Sequence, residues 1–120
     1  MPTGTLEQVI SRMDILGRLA ARSRRVLNAP AALEVAIDKY LTTARLAAAG
    51  LPVIPSAVVQ SRADLQRVRG ELGGRLVAKP LFGANGRGLC RLDEAGAHEQ
   101  LLDSQGAILV QQQLPHEGWD

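Results

Sequence analysis

The dipeptide Asn85-Gly86 constrains the fold of this chain more than any other feature of its sequence. It lies between two extended runs, RLVAKP (75–80) and GLCRLD (88–93). Asn-Gly accommodates the positive backbone dihedrals of a tight hairpin turn. We therefore expect the two runs to be antiparallel neighbours in a sheet, with the glycine-rich segment as the hairpin tip.

The patterns around this hairpin alternate between strand and helix. Apolar or β-branched runs predict strands at 53–59, 75–80, 88–93 and 107–111. Helical spacing with caps predicts one helix from Ser61 to the Gly73-Gly74 stop, and a weaker one that Asp93 caps and that runs through Leu102. The order strand, helix, strand, strand, helix, strand predicts an α+β fold in which helices cover one face of a small sheet.

The part of the chain before Val53 has helical patterns only. Thr5 and Gln8 have the spacing of a capping box and open an amphipathic helix whose last turn is basic. After the break at Asn28-Ala29-Pro30, a short apolar helix leads to Asp38. Asp38 is predicted to cap a further helix that begins with Lys39 and ends at Gly50.

Composition narrows the classes of protein that remain. The 120 residues suffice for about one domain and are few for a complete enzyme. No run is long and apolar enough to cross a membrane, the first residues do not form a signal peptide, and one cysteine cannot form a disulfide within the chain, so we expect a cytoplasmic protein. The net charge of +2 and the three aromatic residues argue against a nucleic-acid partner.

The two lysines are the strongest candidates for a functional site. The chain has twelve arginines, yet lysine stands at positions 39 and 79. A compact ammonium group on a flexible stem suits contact with phosphate oxygens, where a guanidinium fork is bulkier. Lys79 ends an apolar strand just before the glycine loop, so we expect its side chain to share a cavity with the loop amides. The alternatives are a lysine at a strand edge that keeps its charge in water and an Asn-Gly hairpin without ligand.

Gly83, Gly86 and Gly88 have the spacing G-x-x-G-x-G, which is neither the Rossmann nor the Walker A pattern. Glycine amides in a hairpin can nevertheless surround phosphates. The last predicted strand ends in Gln111, Gln112, Gln113 and Leu114, followed by Pro115. Backbone groups at such a strand end can read adenine, although a polar edge strand without ligand remains an alternative.

Three segments in this order, NAPAALEVAIDKYLTTARLAAAGLPV, LVAKPLFGANGRGL and ILVQQQLPHEGWD, resemble the ATP-grasp superfamily and in particular its RimK-type glutamate ligases. The resemblance covers most of residues 28–120, and the leading MPTGTLEQVISRMD also resembles a segment within the amino-terminal domain of such ligases. It implies that residues 1–37 are the last part of that helical or α/β front domain. Residues 38–120 would be the nucleotide-binding lid and hinge.

The resemblance also implies roles for particular residues. Lys39 and Lys79 would hold the nucleotide phosphates, Gln111 to Leu114 would form the adenine hinge, and Asp120 would belong to the nucleotide and substrate contacts. Glutamine at 112, where the family often has glutamate, lacks the negative charge of the usual contact. The flexible loop that closes over the phosphates would comprise Gly83, Ala84, Asn85, Gly86, Arg87 and Gly88.

The implied reaction is ATP-dependent ligation of a carboxylate to an amine through an acylphosphate, with glutamate as a candidate substrate and ATP and Mg²⁺ as cofactors. The substrates would be small molecules or peptides, and the full-length form can be a homo-oligomer without a membrane or nucleic-acid partner. The family's metal ligands are expected beyond residue 120, no catalytic residue is assigned, and we expect a fragment that does not ligate by itself. The alternative is a non-catalytic nucleotide-binding module or regulator.

His98 is predicted to be a surface residue, and His116 a loop residue.

Overall fold

The computed structural model describes residues 5–22, 25–83, 86–94 and 96–115 of the chain. No helix within these ranges is long and apolar enough to span a membrane. The elements, in chain order, are α1 (Leu6–Ala21), α2 (Pro30–Ile37), α3 (Lys39–Ala48), β1 (Ser56–Val59), α4 (Arg62–Leu72), β2 (Leu76–Pro80), β3 (Cys90–Arg91), α5 (Ala97–Gln105) and β4 (Ile108–Gln112).

Three helices begin at the caps that the sequence predicts. Thr5 and Gln8 form the reciprocal hydrogen bonds of a capping box on α1. The carboxylate of Asp38 accepts from Leu41 N at 2.9 Å, and the hydroxyl of Ser61 accepts from Asp64 N at 3.1 Å. Each of these side chains accepts a hydrogen bond from a backbone N–H of the first helical turn, which has no carbonyl partner within the helix. The helix starts at Leu6, Lys39 and Arg62 are therefore fixed by local sequence.

The four strands form one sheet in the order β1-β4-β2-β3. All three pairings are antiparallel, and the register places Ala78 of β2 beside Val110 of β4 and beside Cys90 of β3. The predicted antiparallel pairing of β2 with β3 is therefore confirmed, with residues 81–89 between the two strands; Asn85 of the predicted tight turn lies outside the described residues. Because β4 inserts between β1 and β2, the last strand in sequence lies at the centre of the sheet.

The hydrophobic core lies between one face of this sheet and the helices α4 and α5. Leu65 and Val68 of α4 and Leu102 of α5 belong to the same buried cluster as inward-facing residues of the strands. Arg62 on α4 also contacts Asp103 on α5 at 2.9 Å, so an exposed ion pair links the two helices. The predicted α+β architecture with helices on one sheet face is confirmed. The strand residues in the cluster are Val59, Leu76, Ala78, Ile108 and Val110.

Two predicted strands are shorter in the structure. β1 begins at Ser56 rather than Val53, because Pro52 and Pro55 have no amide hydrogen for a strand ladder. β3 contains only Cys90 and Arg91, since Leu89 N donates to Gly86 O at 3.3 Å and so belongs to the turn.

Two predictions about the helix after β3 are wrong. The helix begins at Ala97, with Gly96 in the left-handed region at its N-cap, and Asp93 does not cap it. His98 is buried, with 5% of its surface exposed, rather than a surface residue. The reason is its spacing: His98 precedes Leu102 by four residues and therefore shares the helix side that packs on the sheet. Its Nδ1 has no hydrogen-bond partner within the described ranges.

Candidate functional site

The two lysines approach the same region from different elements. Lys39 is the first residue of α3, directly after its cap Asp38. Lys79 is the fourth residue of β2, and its neighbour Ala78 is fully buried on the side of the helices. Since successive strand residues point to opposite faces, the Lys79 side chain lies on the face that α4 and α5 leave uncovered.

Lys39 binds the start of the glycine loop. Its Nζ donates to Gly83 O at 3.0 Å and to Leu81 O at 3.4 Å, and its backbone N donates to Leu81 O at 3.2 Å. The first turn of α3 is thus tied to the segment that follows β2. This connection brings residues 39 and 79 together although forty positions separate them in the chain.

Burial perturbs both ammonium groups, and neighbouring charges perturb Lys39 as well. The pKa of Lys39 is lowered mainly by burial and further by the positive charge of Lys79, against the opposite effect of Asp38. Burial also lowers the pKa of Lys79. Two partly buried cations close enough to repel each other are stabilised by a bound anion. The pair of positive charges is therefore suited to a polyanionic ligand.

A row of hydrogen bonds holds Lys79 on its face of the sheet. Lys79 Nζ donates to Gln111 Oε1 at 2.6 Å, and Gln111 Nε2 donates to Ser56 Oγ at 2.9 Å. Ser56 Oγ in turn donates to Ile54 O at 2.7 Å. Ser56 is absent from the residues that the sequence singles out, because its contact with Gln111 depends on the pairing of β1 with β4, which no local pattern specifies.

The residues predicted to form the hinge do not all lie on the lysine side. Gln111 contacts Lys79, whereas the side chain of Gln112 donates to Leu72 O at 2.6 Å, at the end of α4. Gln113 N donates to Arg75 O at 2.8 Å. Leu114 follows β4 with half of its surface exposed. The structure therefore groups Gln111 with the lysines and directs the Gln112 side chain to the opposite face.

The described part of the glycine loop is exposed. Gly83 has φ 137°, a conformation that favours glycine, and its carbonyl is the one that Lys39 contacts. A Cβ at Gly88 would lie 2.9 Å from Pro80 Cγ, so glycine is also required there for close packing. Gly86 and Arg87 are exposed in the turn between these two positions. The predicted site residues Ala84, Asn85 and Asp120 lie outside the described residues, as do His116 and Trp119.

The described ranges contain no group of three or more His, Cys, Asp or Glu side chains arranged to hold a metal ion. Among the described residues, Asp38 is an acidic neighbour of Lys39, and its charge acts to raise the pKa of that lysine. Its carboxylate is already bonded to the first turn of α3. These residues do not fit a resident Mg²⁺ site.

Comparison with known proteins shows that the chain is similar in sequence to a ligase. The chain is 31% identical over 132 aligned residues to the tetrahydromethanopterin:alpha-L-glutamate ligase of Methanosarcina acetivorans, an alignment that covers 98% of this chain and 40% of that protein. No protein-family model matches the sequence.

Solved structures agree in fold. A RimK domain ATP-grasp protein from Sphaerobacter thermophilus superposes with a TM-score of 0.71 at 23% identity, covering 88% of this chain and 42% of that one. The ATP-grasp ligase PsnB, in a complex with a phosphomimetic variant of its minimal precursor, Mg and ADP, superposes with a TM-score of 0.61 at 25% identity, covering 91% and 34%. The chain thus spans about two fifths of the length of the curated relative that it matches.

Proposed function

We propose that this chain, which belongs to the ATP-grasp superfamily and resembles its RimK-type members, forms the ATP-binding portion of an ATP-dependent carboxylate–amine ligase. The observation that supports this most directly is the pair of lysines on α3 and β2: Lys39 binds the start of the glycine loop, and the charge of Lys79 acts on it. The division at residues 37 and 38, the site residues and the cytoplasmic location stay predictions.

In this proposal, Lys39 and Lys79 bind the phosphates of ATP. Each ammonium group has three donors and no acceptor, and phosphate oxygens supply both acceptors and negative charge. Binding relieves the repulsion between the two lysines, which is the reason that the pair prefers a polyanion to a neutral ligand. Lys39 exchanges its contact with Gly83 O for a phosphate oxygen, and this exchange frees the loop to move over the nucleotide.

The residues of β4 provide the adenine end of the site. Leu114 N is the proposed donor to a ring nitrogen, and a carbonyl near it is the proposed acceptor for the exocyclic amine. The Gln112 side chain does not contact the nucleotide in this scheme, because its amide is bonded to Leu72 O on the other side of the sheet. The proposed hinge therefore uses the backbone of residues 112–114, while the Gln111 side chain is held between Lys79 and Ser56.

The reaction that such a site serves is transfer of the γ-phosphoryl group of ATP to a carboxylate, followed by attack of an amine on the acylphosphate. The residues described here bind and orient the nucleotide and offset negative charge on its phosphates. Mg²⁺ would supply further charge neutralisation, but the described residues do not form a site for it. By analogy with the curated relative, we propose glutamate as one of the two joined substrates.

A titration of ATP into the chain tests the binding proposal. Lys79→Ala is expected to weaken ATP binding about 10- to 100-fold, the loss that follows from removal of a charge-assisted hydrogen bond worth ~1.5–3 kcal/mol. Arg75→Ala is the matched control, because Arg75 precedes the same strand and its side chain is exposed. Equal losses in the two variants, measured by calorimetry, would count against the site.

Turnover separates the ligase from the alternative of a nucleotide-binding module. Both predict ATP binding by this chain. A polypeptide that contains these residues together with metal ligands should release phosphate from ATP in the presence of a carboxylate and an amine, whereas the 120-residue chain alone should not. Phosphate release by the 120-residue chain at the rate of a complete ligase would contradict the expectation that this chain needs further metal ligands for the reaction.

A further inference from the structure

We propose that Ser56 and Gln111 are positioning residues that fix the direction of the Lys79 ammonium group. Both residues lie beside Lys79, and their importance for binding rests on the proposed function. The hydrogen bonds themselves join side chains of three strands and do not depend on ATP.

The sheet register brings the three residues into one row. Ser56 of β1 pairs directly with Gln111 of β4, and Lys79 of β2 pairs with Leu109, two positions along β4 from Gln111. Residues paired directly in an antiparallel sheet point to the same face, and diagonal neighbours are within reach of long side chains. Ser56, Gln111 and Lys79 therefore cross three adjacent strands on the face opposite the core.

The donors and acceptors in this row admit one arrangement. A serine hydroxyl has a single hydrogen, and Ser56 donates it to Ile54 O. Ser56 Oγ can then only accept, so it selects the amide nitrogen of Gln111 rather than the amide oxygen. The oxygen of Gln111 is thereby directed to Lys79 Nζ. The Ile54 carbonyl thus determines, through two side chains, which atom faces the lysine.

The partner of Lys79 in this row is neutral. A carboxylate at the same place would form an ion pair and offset the positive charge, whereas an amide oxygen occupies one of three ammonium donors and leaves the charge intact. Within the part of the chain that the structure describes, Gln111 is the hydrogen-bond partner of Lys79 Nζ, so the remaining donors stay available to a ligand. The row consequently holds the flexible Lys79 side chain in one place, which lowers the entropy cost of binding an anion. The ammonium group keeps the positive charge that attracts the anion.

The two lysines make a direct test possible. In a sample labelled at lysine, the Lys39 and Lys79 signals can be followed separately, and the ¹³Cε shift against pH gives each pKa. Ser56→Ala should lower the Lys79 pKa further, because the charged form loses an oriented acceptor. Ser56→Thr retains the hydroxyl and should restore the wild-type value. Ser104→Ala is the control, since it removes an exposed hydroxyl that bonds Leu101 O on α5.

The same variants should differ in ATP affinity. Ser56→Ala should bind ATP about 2- to 10-fold more weakly than wild type, as expected for loss of one neutral hydrogen bond, whereas Ser56→Thr and Ser104→Ala should bind as wild type does. The proposal is overturned if the Lys79 signal and pKa in Ser56→Ala equal those in Ser104→Ala, or if Ser56→Thr behaves as Ser56→Ala does. Should Ser56→Ala fail to fold, Gln111→Leu decides, because it removes the acceptor itself and must lower the Lys79 pKa.

The two proposals fail in different ways. If ATP shifts neither lysine signal of the wild-type chain, the nucleotide assignment is wrong, and the comparison of Ser56→Ala with Ser104→Ala still decides whether the row positions Lys79. If ATP shifts both lysine signals and Ser56→Ala leaves the Lys79 pKa unchanged, the nucleotide site stands and the positioning role is wrong.

Discussion

The two faces of the sheet are built from alternating residues of the same strands, yet they differ in chemistry. On the face toward α4 and α5, Ala78, Ile108 and Val110 are fully buried and apolar. On the other face, Lys79 and Gln111 are partly buried and joined by a hydrogen bond. In β2, a shift of one position from Ala78 to Lys79 exchanges a buried apolar side chain for a cation, whereas in β4 the buried Leu109 lies on the same face as Lys79. The role of a strand residue therefore depends on the sheet face to which its side chain points as well as on its place in a sequence motif.

The largest expected effect comes from the core face. Leu65→Ala should destabilise the chain by about 2–4 kcal/mol, because Leu65 is 1% exposed and its truncation leaves a cavity against the sheet. Urea denaturation followed by circular dichroism measures the loss. Leu46→Ala on α3 is the control, since Leu46 is 41% exposed and should change stability by no more than about 0.5 kcal/mol. Similar losses in both variants would contradict the assignment of the core to the α4 side.

A pair of adjacent substitutions tests the division between the faces directly. Gln111→Glu places a carboxylate beside Lys79, so it should raise the Lys79 pKa and weaken ATP binding about tenfold by neutralising the lysine. Gln112→Glu places the carboxylate beside Leu72 O and removes a donor, so it should cost about 1–2 kcal/mol of stability and leave the Lys79 pKa unchanged. Lysine-selective NMR and denaturation measure the two effects. If the effects were exchanged, the strand register would be wrong.

The smallest expected effect is a pair of pH dependences of opposite sign. The folded chain holds the pKa values of Lys39 and Lys79 below their ordinary value of 10.5. Between the folded and the ordinary pKa the unfolded chain binds more protons, so these two lysines make stability rise with pH in that interval. ATP affinity should fall over the same interval as the ammonium groups lose their charge.

Lys79→Arg isolates the contribution of residue 79, because a guanidinium group stays charged throughout this range. Denaturation and calorimetry at increasing pH should show both slopes reduced in this variant. Unchanged slopes would mean that other titrating groups, and not Lys79, cause them.

Local sequence predicts most of the elements of this chain because their boundaries depend on neighbouring residues. The caps Thr5, Asp38 and Ser61 act within three residues, and the β2–β3 pairing joins runs that are close neighbours in the sequence. Asp93 is a residue for which local sequence predicts the wrong helix start. It has the chemistry of a cap, but the helix begins after Gly96, and a left-handed glycine there redirects the chain before α5. Competing start signals of this kind are resolved by how the helix packs on the sheet.

The candidate site could be predicted only in part. The two lysines and the glycine loop stand out because residue type and spacing are visible in the sequence, and the structure brings Lys39, Lys79 and Gly83 together. The Gln111–Ser56 contact joins residues 55 positions apart. It becomes visible only when β4 is known to lie between β1 and β2, because antiparallel pairing can bring any two strands together.

By itself, the sequence determined the starts of α1, α3 and α4, the antiparallel pairing of β2 with β3 and the two cationic side chains that a polyanion would require. These properties depend on the chemistry of one residue or on contacts within a few positions. Only the tertiary structure decided that β4 occupies the centre of the sheet, that His98 is buried, and that Gln111 rather than Gln112 faces Lys79. Strand order and register set these outcomes, and both depend on the long-range packing of one apolar sheet face against α4 and α5.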